Sequence, residues 1–165
     1  MGVPSSDKSD LFDGKTEIHI CCSNTTQNQL FADHLTRCTG CPANCGTQFS
    51  IPKDNKESES HCVLLLIDCF KLGKARIWST IGGLGSQNGN ARIGTAFFNV
   101  SKDFSAKFEI GAMDRGIRGV FYEDSSMDIL TKGINAILKG EFWYSRRTVG
   151  RYIETKSSQY LVSVK

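Results

Sequence analysis

Residues 17–22 (EIHICC) alternate and then turn apolar, which predicts a buried strand. Side chains in the following SNTT segment can accept from the free amides of a helix start. Leu30, Phe31, His34 and Leu35 continue that helix at 3.6-residue spacing until Gly40 and Pro42 end it. A short strand is expected near 48–51, then a polar loop to 60. Residues 61–68 (HCVLLLID) form a continuous apolar run closing on an acid, as in a central parallel strand covered on both faces. Glycine and asparagine enrichment over 82–94 predicts a loop, and 95–100 (TAFFNV) a further strand. Helical spacing over 104–114 precedes another short strand at 119–122 (GVFY). Ser125 and Ser126 can cap the next helix, whose Ile129, Leu130, Ile134, Ile137 and Leu138 share one stripe that Gly140 ends.

Strands alternating with helices predict an α/β fold, a doubly wound parallel sheet of five strands with helices on both faces. The functional crevice of such a fold lies at the carboxyl ends of the strands, here near Ser23, Asp68, Asn99 and Tyr122. An acid closing the third strand makes the chain resemble the CheY-like receiver domains of response regulators. That resemblance implies a phosphoacceptor, an acidic pair holding Mg²⁺, and a hydroxyl and a lysine on later strands. Asp68 fits the acceptor, but the acidic pair falls on Cys22 and Ser23, the hydroxyl on Asn99 and the lysine on Tyr122. Phosphoryl transfer needs its charge neutralised, so Asp68 is expected to be a degenerate phosphoacceptor that makes local hydrogen bonds. A phosphorylatable receiver remains the alternative.

Length and charge narrow the class. A chain of 165 residues suits one domain, and its net charge of +3 is too small to argue for coating nucleic acid. Its longest apolar run falls far short of a membrane span, and the first 14 residues contain no secretory apolar region. The cysteines number seven, with Cys21 and Cys62 in or beside strand-like runs, which points to reduced thiols and a cytoplasmic location.

The stretch after Gly140 (EFWYSRRTVGRYIE) exceeds what five β–α units require, and it predicts an extra C-terminal helix capped by Ser145. Between residues 132 and 151, Lys132, Lys139, Arg146, Arg147 and Arg151 face Glu141 alone, a larger surplus than that of the whole chain. Arginines in a first turn oppose the helix macrodipole, so the segment calls for an anion. Trp143, Tyr144, Ser145 and Arg146 add a stacking surface, a hydroxyl and a planar guanidinium, a combination that suits a guanine nucleotide.

Over residues 16–156 the chain resembles the receiver part of VpsT/CsgD-type biofilm regulators of the LuxR/FixJ family. The resemblance rests on the first strand and helix, LLLID, GIRGVFYED and ILKGEFWYSRR. In the VpsT branch, Trp, then Phe, Leu or Met, then Thr or Ser, then Arg binds cyclic di-GMP. Trp143, Ser145 and Arg146 match that motif and Tyr144 departs from it toward a close relative of Phe. The resemblance implies a homodimer formed through the extra helix, with Ile153 as an apolar contact and two cyclic di-GMP molecules at its base. It also implies transcription regulation through a DNA-binding output domain, which is not expected within this chain. The expected organisation is a flexible tail (1–15), a degenerate receiver domain (16–140), an extra helix with the nucleotide motif (141–156) and a linker-like tail (157–165).

Two further classes need weighing. His34, Cys38, Cys41 and Cys45 are zinc-capable residues within one short segment, which could make a structural or interaction site; free thiols at a helix end are the expectation, with no metal. Neither a nucleophile–base motif nor a phosphate-binding GK[ST] follows the glycines at 83, 85 and 89, so no enzyme is expected.

Overall fold

The computed structural model describes residues 15–23, 25–48, 61–82 and 92–162. Its elements follow in the order β1 (Lys15–Cys21), α1 (Thr26–Thr39), β2 (Ala43–Gly46), β3 (His61–Asp68), α2 (Lys74–Gly82), β4 (Arg92–Val100), α3 (Ala106–Asp114), β5 (Gly119–Tyr122), α4 (Met127–Leu138) and α5 (Arg146–Val162). The strands form one parallel sheet in the order β2-β1-β3-β4-β5. This is the doubly wound arrangement expected from the alternating elements.

Side-chain alternation divides the core in two. Cys62, Leu64 and Leu66 of β3 pack with Ile18 and Ile20 of β1 against Phe31 and Leu35 of α1 and Ile134 and Ile137 of α4. Leu65 and Ile67 face the other way, with Phe97, toward Ile77 of α2 and Phe108 and Ala112 of α3. Both faces of β3 are therefore buried, which is why its sequence lacks a polar alternate position. The last helix, α5, packs outside α3, where Lys156 Nζ lies 2.7 Å from Asp114 Oδ1.

Several boundaries differ from expectation. The Thr25 side chain accepts from Asn28 N, and Gly40 ends α1 at φ +74°, as its cap residues predict. Ala43–Gly46 forms β2, a strand not expected from the sequence, because the chain pairs with Ile18–Cys21 directly after the Gly40–Pro42 turn; the strand expected near 48–51 falls largely outside the described residues. Residues 49–60 and 83–91 lie outside the described residues, as does most of the expected N-terminal tail. β4 begins at Arg92, inside the expected loop, because Cys62 and its successors offer a full ladder. Helix α2 follows β3 without having been read from the sequence, and α5 runs to Val162, through residues expected to be linker-like. Among the described residues no helix is long and apolar enough to cross a membrane.

Burial also shapes the thiols. The Cys69 thiol is pushed up to about 12 by burial and then by the Asp68 charge. Burial likewise lifts Cys22 to about 12, helped by the neighbouring Cys45 thiol and by Asp68. An unfolded thiol ionises near 9.0, whereas these two stay protonated when folded, so stability present below that pH is lost as pH rises toward 12. The urea midpoint is accordingly expected to fall between pH 8 and pH 10.5, with a shallower fall in Cys69→Ala. A fall of equal slope in that variant would remove Cys69 from the account.

Candidate functional site

Sheet order switches between β1 and β3, and the crevice at their carboxyl ends holds Asp68. Asp68 Oδ1 accepts from Phe70 N at 3.0 Å and from Asn99 Nδ2 at 2.9 Å. Asn99 reaches it by adopting φ +56°, a left-handed conformation that asparagine tolerates better than most residues. The same residue shifts the β4–β5 register, so Phe98 and Val100 fall into opposite halves of the core despite their even spacing. One oxygen of Asp68 is thus committed to local bonds, and the residues at the end of β1 bring thiols and Ser23 rather than carboxylates.

At the end of β5, the Tyr122 side chain reaches α3. Its hydroxyl donates to Glu109 Oε1 at 2.6 Å, and burial followed by the Glu109 bond pushes the phenol up. Glu109 is 7% exposed, a buried carboxylate on α3 whose side-chain bonds from described residues come from the hydroxyls of Tyr122 and Thr148. Its second oxygen accepts from the Thr148 hydroxyl in the first turn of α5. Because Thr148 spends its proton on Glu109, it accepts from Ser145 Oγ, 2.9 Å away. Ser145 Oγ in turn accepts from Thr148 N at 3.1 Å, which makes Ser145 the helix cap expected of it. The anion demanded by a basic helix start is therefore partly supplied from within: Glu109 sits beneath the positive end of α5. Neither Glu109 nor Thr148 carries a sequence signal for this role, since α3 and α5 meet only in the folded chain.

The four residues of the nucleotide motif lie together but face different ways. Trp143 pairs with Gly119 as a one-residue extension of the sheet edge, its N–H donating to Arg118 O at 2.8 Å. Its half-buried indole stacks on Phe121, with centroids 6.0 Å apart and planes 22° apart. A Cβ added at Gly133 would lie 2.7 Å from that indole, and one added at Gly119 2.8 Å from the Trp143 Cβ, so two glycines make room for this residue. Tyr144 turns to the other half of the core and donates to Ile117 O at 2.8 Å; burial, then the charge of Glu109, pushes its phenol up. Arg146, Arg147 and Arg151 are exposed and make no ion pair with a described residue. Ile153, on the outer side of α5, is 57% exposed.

The zinc-capable residues are not brought together. His34 Nε2 lies 3.0 Å from Thr131 Oγ1 of α4 and 3.6 Å from Cys38 Sγ one turn on. The left-handed Gly40 sends the chain away into β2, where Cys45 Sγ accepts from Gln29 Nε2 at 3.5 Å. Among the described residues no group of three or more His, Cys, Asp or Glu side chains is arranged to hold a metal ion.

No family model and no curated protein matches the sequence. Among solved structures, the crystal structure of the regulatory domain of the master biofilm regulator CsgD is similar, with a TM-score of 0.67 and 21% identity. The likeness covers 84% of this chain and 98% of that one. With its 2-1-3-4-5 parallel sheet and helices on both faces, the chain has the receiver-like fold of that regulatory domain.

Proposed function

We propose that this chain is a non-enzymatic regulatory domain of the CsgD type that senses cyclic di-GMP at the start of α5 and dimerises through that helix in the cytoplasm. The observation that carries this reading is the cluster of exposed arginines, Arg146, Arg147 and Arg151, on the first two turns of a capped helix with no carboxylate partner among the described residues. Trp143 and Tyr144 anchor the strand end from which Ser145 and Arg146 project, so the guanidinium leaves a rigid base rather than a loop. A guanidinium there can clamp a phosphate or the O6/N7 edge of guanine with two parallel N–H groups. The exposed Ile153 gives a second copy of α5 an apolar contact, and a pocket completed only by two copies links binding to assembly. Output on DNA would pass through a separate domain.

Calorimetric titration with cyclic di-GMP, alongside sedimentation of the same samples, tests the proposal. Wild-type chain is expected to bind and to shift from monomer toward dimer. Arg146→Ala should weaken binding about thirtyfold or more, the loss of a charge-assisted hydrogen-bond pair. Absence of binding, or equal binding by Arg146→Ala, overturns the proposal.

A further inference from the structure

The indole of Trp143 has one face against Phe121, yet the aromatic directly before it does not share that burial: Phe142 is 54% exposed. The guanidinium of Arg118 lies over the Phe142 ring, its central carbon 4.6 Å from the centroid. The Arg118 backbone is held in the sheet edge, for its N donates to Thr95 O at 2.7 Å and its O accepts at 2.8 Å from the N of Trp143, the residue directly after Phe142. The pair is therefore a preformed stack on a rigid edge. Arg118 makes no ion pair with a described residue, and its guanidinium is attracted by the ring's π face while keeping its charge.

We infer that Arg118 and Phe142 form a stacking platform for a purine base of the dinucleotide whose phosphate side meets Arg146. The inference rests on the nucleotide reading above and adds to it two residues outside the four-residue motif. Arg146 follows Phe142 by four positions, which limits their backbone separation to about 14 Å, a span that one cyclic dinucleotide can bridge. A guanidinium plane and a phenyl face each accept a purine at stacking distance, and the Arg118–Phe142 stack presents both without reordering. In sequence, Glu141 is the one carboxylate between Lys139 and Arg151, against Lys139, Arg146, Arg147 and Arg151, so the segment stays cationic. The stacking role thereby shifts from the half-buried Trp143 to its exposed neighbour, while Trp143 anchors the strand end.

Titration of the full chain with cyclic di-GMP separates these roles. Phe142→Ala should weaken binding about tenfold or more, Phe142→Tyr should bind within about twofold of wild type, and Arg118→Gln should weaken binding in the same direction as Phe142→Ala. All three should melt at the wild-type temperature, because the Phe142 ring contributes little to the core. If Arg146→Ala loses binding while Phe142→Ala stays within about twofold of wild type, the platform is wrong and the nucleotide reading stands. If the wild-type chain does not bind, the nucleotide reading falls and takes the platform with it.

Discussion

Gly133→Ala is expected to destabilise the chain, even though alanine is the better helix former. Gly133 lies inside α4, where the propensity gain would be about 1 kcal/mol. A Cβ at this position would sit 2.3 Å from Phe121 Cε1, 2.6 Å from Phe121 Cζ and 2.7 Å from Trp143 Cδ2. Both rings are held from behind: Phe121 is 1% exposed, and Trp143 is tied to the sheet edge by its own backbone. Neither can retreat as a flexible side chain would, so overpacking at roughly 3 kcal/mol outweighs propensity and leaves a net loss of about 2 kcal/mol. Gly133→Val should cost about 4 kcal/mol or more, a large fraction of the stability of a domain this size. Urea unfolding followed by tryptophan fluorescence reads both effects. An alanine variant as stable as wild type would show that the two rings do not pack on α4 as described.

Thr148→Val should produce the second large loss. Valine matches the shape of threonine but leaves one oxygen of the buried Glu109 without its donor and takes away the acceptor of Ser145 Oγ. An unsatisfied buried charged acceptor costs about 2–3 kcal/mol, whereas Thr148→Ser restores the hydroxyl and should recover most of it. The loss should concentrate in α5, since Thr148 joins that helix to α3; faster amide exchange over the first turns of α5 than over β3 would register it. Equal stability of Thr148→Val and wild type would mean that Glu109 is satisfied by other means. Glu109 also explains how a helix can begin with two arginines: the carboxylate beneath the first turn offsets part of the conflict between their charge and the helix macrodipole.

The sheet was legible because its signal is local. An uninterrupted apolar run such as 61–68 can be satisfied only between two helical layers, and caps such as Thr25, Ser126 and Ser145 act within three residues of themselves. Helix α2 was missed because Ile77 is its sole fully buried residue, too little to mark a stripe. The edge strand Ala43–Gly46 was missed because short edge strands are located by their partner, here β1.

The site divides along the same line. Composition and order by themselves determined that a cationic, aromatic segment follows the fifth strand and that an acid closes the third, while Cys22, Ser23 and Tyr122 stand where the receiver resemblance implies an acidic pair and a lysine. Only the tertiary structure decided which aromatic faces outward, that Glu109 lies under α5, that Gly119 and Gly133 exist to admit Trp143, and that His34 and Cys45 part company. The reason is physical: periodicity encodes which face of an element is apolar, but a hydrogen bond or a steric gap between residues 39 positions apart, as for Glu109 and Thr148, comes into being only when two elements dock.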